Sequence, residues 1–211
     1  MNDTGHKAVA GFGERSQEPF EDIPTEPEAF LRWGAQRQRE EGRFELSHGR
    51  VIRTMIWASR AHARVCANLL GELARLLDRE RFDIGPADFA VRTPVGVRSP
   101  DIVVDRADPR GKELSTAHPL FIAEVLSPST AGTDFTAKLE EYTAIAALQT
   151  YLVCSQDEPR AWLWTRQAGG AWSALPLELI GREGSVALGG LSIEITMAAI
   201  FRGIPDSPTT E

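Results

Sequence analysis

The chain carries two hydrophobic rhythms. Between residues 25 and 80 apolar positions recur at helical spacing, and from about residue 87 they come as short β-rich runs divided by proline and glycine. Residues 1–22 are polar and without periodicity, which predicts a disordered arm. Thr25-Glu26-Pro27-Glu28 reads as a capping box with proline in the first turn, opening a helix to about Glu41 that stops near Gly42. Phe44-Glu45-Leu46 and Val51-Ile52-Arg53 flank the turn-rich Ser47-His48-Gly49-Arg50, which predicts a hairpin. Ser59 caps a second helix, whose Val65, Leu69, Leu70, Leu73, Leu76 and Leu77 make one face for a sheet.

The runs at 87–95, 101–105 and 119–126 predict three strands of one sheet. Thr133 or Asp134 then caps a third helix with Phe135, Leu139 and Tyr142 inward, and the strand Thr150–Cys154 follows it. Shorter strands are expected at 160–166, 172–179 and 185–188, and Ile200-Phe201 closes the ordered part. The fold class is therefore α/β of the mixed α+β kind, in one domain at 23–203 with a disordered tail at 204–211.

With 211 residues and 42% hydrophobic content, one sizeable core can form. No apolar run reaches the roughly 18 residues of a membrane span, and Met1 to His6 lack the order of a signal peptide, so the reading is a cytoplasmic protein without a membrane partner. Cys66 and Cys154 are too few for a disulfide framework or a thiolate zinc site, and His6, His48, His62 and His118 show no ligand spacing among themselves. Neither zinc nor a disulfide is expected.

A net charge of −7 argues against non-specific coating of nucleic acid. The distribution differs: from Arg32 to Arg81 there are 11 arginines against 6 acids. This stretch either faces phosphate or solvates two amphipathic helices.

Glu124 interrupts the apolar run Leu120 to Leu126, where an unpaired ionised carboxylate is costly. Asp101 opens the run Ile102-Val103-Val104, so two strand-borne acids point to a hard divalent ion such as magnesium, with the Val125 carbonyl as a third oxygen. Such an ion suits phosphodiester hydrolysis. The bland counterparts are a turn acid at Asp101 and an ion pair at Glu124.

Asp134, Lys138 and Tyr142 stand at i, i+4 and i+8, one stripe of the third helix, which makes Lys138 the natural counter-charge. Lys138 is also one of only three lysines among 23 basic residues. It is assigned to the phosphate or the attacking water, with Tyr142 beside it. An ordinary Asp134–Lys138 surface pair is the competing reading. Glu45 and His62 are weaker, substrate-positioning candidates. His48 and His118 are read as exposed turn residues, and Ser127, Ser129 and Thr130 as turn and cap residues.

Ser99-Pro100-Asp101-Ile102-Val103-Val104, Glu124-Val125-Leu126-Ser127-Pro128-Ser129-Thr130 and Asp134…Lys138…Tyr142 resemble the signature of the Uma-two family, restriction-endonuclease-like proteins of bacteria. The hairpin Phe44 to Arg50 resembles that family's N-terminal hairpin, and His62 falls where the family often has a histidine. The resemblance covers about residues 25–202. It implies the PD-(D/E)XK nuclease fold, a mixed sheet flanked by helices, with Asp101 and Glu124 holding Mg2+ (or Mn2+). One departure stands out: the lysine of that motif is replaced by Leu126, and Lys138 is the replacement from the helix.

The first function expected is a metal-dependent DNA endonuclease, with nucleic acid as partner and a homodimer left open. The second is a nuclease-like fold without turnover that binds DNA or protein. The third is a scaffold in which Glu124 is merely ion-paired.

Overall fold

The computed structural model describes residues 23–54, 58–109, 111–126 and 133–206, side chains excepted at 38–41 and 133–135. The predicted arm, the turn residues Ser127, Ser129 and Thr130, and the side chains of Asp134 and Phe135 lie outside the described residues.

Helix α1 (Pro27–Glu41) begins and ends as expected, but its cap is Glu26 rather than Thr25. The Glu26 carboxylate accepts the N–H groups of Glu28 and Ala29, each at 3.1 Å. Pro27 is the cause: a proline holds the preceding residue extended, and Glu26, with φ −81° and ψ 128°, is thereby the last non-helical residue. The hairpin forms in the predicted place. Strand β1 (Arg43–Ser47) pairs antiparallel with β2 (Arg50–Thr54), Ser47 opposite Arg50. His48 and Gly49 turn between them with φ of 50° and 74°, the left-handed pair of a two-residue loop. Ser59 caps α2 (Arg60–Leu76), which buries Val65, Leu69 and Leu73.

The three strand runs do not share a sheet. A strand absent from the sequence reading, β3 (Phe82–Pro86), comes first, because Gly85 and Pro86 hide its pattern. Run 87–95 supplies β4 (Ala90–Thr93), which turns into β5 (Gly96–Arg98) and so leaves the other two runs. These become β6 (Ile102–Arg106) and β8 (Phe121–Leu126), with the short β7 (Ser115–Thr116) between them. Gly96 decides the split. A Cβ there would overlap the Leu46 carbonyl, so only glycine lets β5 lie against β1 with Leu46 opposite Val97.

The five-stranded sheet that results has the order β2-β1-β5-β4-β7. Downstream come α3 (Thr133–Thr143), β9 (Thr150–Ser155), β10 (Arg160–Thr165) and β11 (Leu177–Ile180), the last shorter than the predicted 172–179. The second sheet has six strands in the order β11-β10-β9-β8-β6-β3 and is mixed: β8 and β9 run parallel with α3 as their crossover, and the other neighbours are antiparallel. A hairpin of β12 (Ser185–Leu188) and β13 (Ile193–Thr196) leads into α4 (Met197–Ile200).

Strand parity sorts the cores. Ile102, Val104, Phe121, Ala123 and Val125 face α2, α4 and the β12–β13 hairpin, where Ile204, expected in the tail, is also packed. Val103, Ile122, Tyr151 and Val153 face the other way and meet Tyr142 of α3. Each fully buried side chain of this size contributes about 1.5–3 kcal/mol. A third core of Phe30, Phe44, Leu46, Ala90 and Val97 sets α1 on the five-stranded sheet. The six-stranded sheet thus lies between α2 and α3.

Candidate active site

Glu124 shares the parity of Ile122 and so points toward α3. There Lys138 Nζ and Tyr142 Oη, one helical turn apart, each donate to Glu124 Oε1 at 3.0 Å. The helix stripe read from the sequence is therefore the one that meets the buried acid. Tyr142 is held edge-on to Tyr151, ring centroids 5.3 Å apart. Burial pushes the Glu124 carboxyl up to about 7. Lys138 pulls the other way, while the charges of Asp101 and Glu45 add to the rise. The Tyr142 hydroxyl is held well above the usual phenol range by burial and by the Glu124 and Glu45 charges, so it stays a neutral donor.

Asp101 is not a strand residue but the bend before β6. The register Ile102 opposite Ala123 brings it beside Glu124 when carried one step further. Its Oδ2 accepts the Val125 N–H at 2.7 Å and lies 3.2 Å from His62 Nε2. Val125 thus meets Asp101 through its N–H. His62 is set by the first turn of α2: its N–H donates to the capping Ser59 Oγ at 3.0 Å, and that hydroxyl donates to Gln156 Oε1 at 2.9 Å. The hydrogen bond to Asp101 raises the His62 pKa, against burial, with the Asp101 and Glu124 charges helping. On the other side of the ring, Cys66 Sγ lies 3.6 Å from His62 Nδ1, its thiol pushed well up by burial and by the charge of Asp101.

Sequence reasoning missed Arg98, Glu141, Ser47 and Thr93. Arg98 is 1% exposed. It donates to Glu45 Oε2 at 2.9 Å and to Glu141 through Nε and NH2 at 2.9 and 2.6 Å. Glu141 also accepts the hydroxyls of Ser47 at 2.7 Å and Thr93 at 3.2 Å. Burial works to raise the Glu141 pKa, but Arg98 and the two hydroxyls outweigh it and the net shift is downward. Glu45 joins this network to the first: Lys138 Nζ is 3.8 Å from its Oε1, which also accepts the Ser99 N–H at 3.0 Å. Both oxygens of this predicted substrate-positioning residue therefore bond to the protein itself. The available signal was an arginine ending an otherwise apolar strand two residues before Pro100.

Of the basic stretch, several arginines bind within the protein: Arg32 to Glu28 and Arg75 to Glu72 along their own helices, and Arg64 to the distant Gly203 carbonyl. Arg43 pairs with Asp88 at 3.5 Å, and its charge also bears on His62.

A family model described as "Putative restriction endonuclease", Uma2, matches residues 27–198. The chain belongs to the Uma2 family. Its match begins at the first residue of α1 and ends in α4, so it spans both sheets. Two relatives from Synechocystis sp. are similar over most of their length. "Uncharacterized protein slr1290" is 28% identical over 182 residues, 84% of this chain and 92% of that one. "Uncharacterized protein sll1609" is 29% identical over 164 residues, 74% and 91%. The fold is also that of a crystal structure of "a putative nuclease belonging to DUF820" from Anabaena variabilis, with TM-score 0.62 and 14% identity over 75% of this chain and 89% of that one. The chain thus has a nuclease-like, mixed α+β fold. Among the described residues no helix is long and apolar enough to cross a membrane.

Proposed function

We propose that this Uma2 protein is a metal-dependent DNA endonuclease that hydrolyses phosphodiester bonds, with Asp101, Glu124 and Lys138 as its catalytic residues. The observation that carries the reading is the buried Glu124, met by Lys138 at 3.0 Å from a helix on one side and flanked by Asp101 on the other. Magnesium or manganese fits the donor set. The hydrogen bonds from described residues fall on Oε1 of Glu124 and Oδ2 of Asp101, which leaves Oε2 and Oδ1 without a donor among those residues. Two carboxylates of this kind are what a hard ion takes, and the Val125 carbonyl shares the strand edge of its N–H, which faces Asp101. When bound, the ion lowers the pKa of a coordinated water and stabilises charge on a phosphoryl oxygen.

The chain's own groups do the rest. Lys138 brings an ammonium to the acid that Leu126 does not serve, since Leu126 packs with the Tyr142 core. Tyr142 keeps Oε1 oriented with a proton it does not release. His62 fixes the Asp101 carboxylate. The test is nicking of supercoiled plasmid in Mg2+ or Mn2+. Wild type is expected to cleave and Asp101→Asn and Glu124→Gln to lack activity; equal cleavage by either variant rejects the reading.

A second reading, DNA or protein binding without turnover, draws on Leu126 and on the two carboxylates, Glu124 and Glu45, that Lys138 faces. Salt-sensitive duplex binding with no cleavage in either metal would select it.

A further inference from the structure

We propose that His62, Cys66 and Asp101 form a second site, for Zn2+ or a similar thiolate-seeking ion, which shares Asp101 with the hard-ion site. His62 and Cys66 are four residues apart on α2 and so share a face, one turn in from the Ser59 cap. One ligand atom from each of the three residues lies within 4.8 Å of the other two. Cys66 Sγ stands 3.6 Å from His62 Nδ1. That is close to the about 3.5 Å that separates sulfur and nitrogen on a tetrahedral zinc with bonds of about 2.3 and 2.0–2.1 Å. Asp101 Oδ2 is 3.2 Å from the other ring nitrogen, so an ion held by all three residues takes one edge of the imidazole and replaces the contact at the other. Cys66 is a free, half-buried thiol, and a water completes four-coordination.

The donors differ in kind from those proposed for magnesium. Thiolate and imidazole select a soft or borderline ion, whereas Asp101 and Glu124 suit a hard one. Because Asp101 sits at the bend before β6, between His62 of α2 and the Glu124 side of the sheet, it can serve one ion fully at a time. A soft ion on α2 therefore draws Asp101 away and weakens the hard-ion site. This competition, unlike the soft site itself, rests on the endonuclease reading.

Co2+ titrated into the metal-free full chain provides the test. Wild type is expected to show a thiolate-to-cobalt charge-transfer band in the near ultraviolet. Cys66→Ser should lose it, and His62→Ala and Asp101→Asn should each weaken Co2+ binding at least about tenfold, with circular dichroism matching wild type. No band, or a band that survives Cys66→Ser, overturns the site; unchanged Co2+ affinity in Asp101→Asn overturns the sharing. Calorimetry then measures Mg2+ with and without one equivalent of Zn2+. Zn2+ should weaken Mg2+ binding in wild type but not in Cys66→Ser, and equal Mg2+ binding with and without Zn2+ in wild type overturns the competition. No Mg2+ binding by either protein in the absence of Zn2+ would reject the hard-ion reading, while an intact cobalt band would sustain the soft site.

Discussion

Two buried glutamates, Glu124 on β8 and Glu141 on α3, face opposite fates in almost the same interior. Glu141 accepts two bonds from Arg98 and one each from Ser47 and Thr93, and its carboxyl is held below the ordinary range despite burial. Glu124 accepts one bond each from Lys138 and Tyr142, feels the like charges of Asp101 and Glu45, and is raised to about 7. Burial alone does not set the charge state. The number of donors against the number of nearby anions does, and Glu124 is left short of positive charge where Glu141 is not. One cluster is a sealed clamp around an arginine, and in the other a single lysine stands beside more than one acid.

The sharpest way to break the contrast is to remove the clamp's cation. Arg98→Met leaves Glu45 and Glu141 buried without their partner, and urea unfolding should show a loss of about 3–5 kcal/mol. A loss under about 1 kcal/mol would make the clamp dispensable. Lys138→Ala attacks the other cluster: cleavage should fall about 10²–10³-fold, as on removal of a transition-state electrostatic contact, while Mg2+ binding by calorimetry persists.

The pH dependence of stability in metal-free protein should separate the two acids by sign. For Glu141 the folded pKa is depressed, so its contribution is complete above the unfolded value of about 4.3 and is lost as pH falls through the folded pKa. For Glu124 it is raised, so the folded state binds the extra proton and stability declines as pH rises from about 4.3 through about 7. Glu141→Gln should flatten the acid limb and Glu124→Gln the neutral one, read from melting temperature across pH. The smallest effect expected is Tyr142→Phe, about 1 kcal/mol of stability for one buried hydrogen bond, with the neutral limb moved to higher pH.

What the sequence shows of this site follows from how far each contact reaches. Glu124, Lys138 and Tyr142 are legible because strand parity and an i, i+4 stripe are local rules, and Asp101 is legible as the acid that opens the next apolar run. The Arg98–Glu141 pair spans 43 residues and joins the five-stranded sheet to a helix of the other layer, which no local period encodes. Sheet membership failed for the same reason: the 87–95 run was correctly a strand, but its partner was chosen by the close approach at Gly96. His62 is a candidate from the sequence, but its partner Cys66 is not, because the i, i+4 relation runs between two residue types that show no pattern when each is taken alone.

Helix α3 carries Lys138 and Tyr142 toward Glu124 and, between them, Glu141 toward Arg98. A slip of one residue along its axis, about 1.5 Å with a turn of about 100°, would break all three attachments together. The helix is therefore indexed by its own side chains, like a key cut to two locks, rather than by the length of chain that leads into it. Insertions between Leu126 and Thr133 should change that lead-in without changing where Lys138 stands.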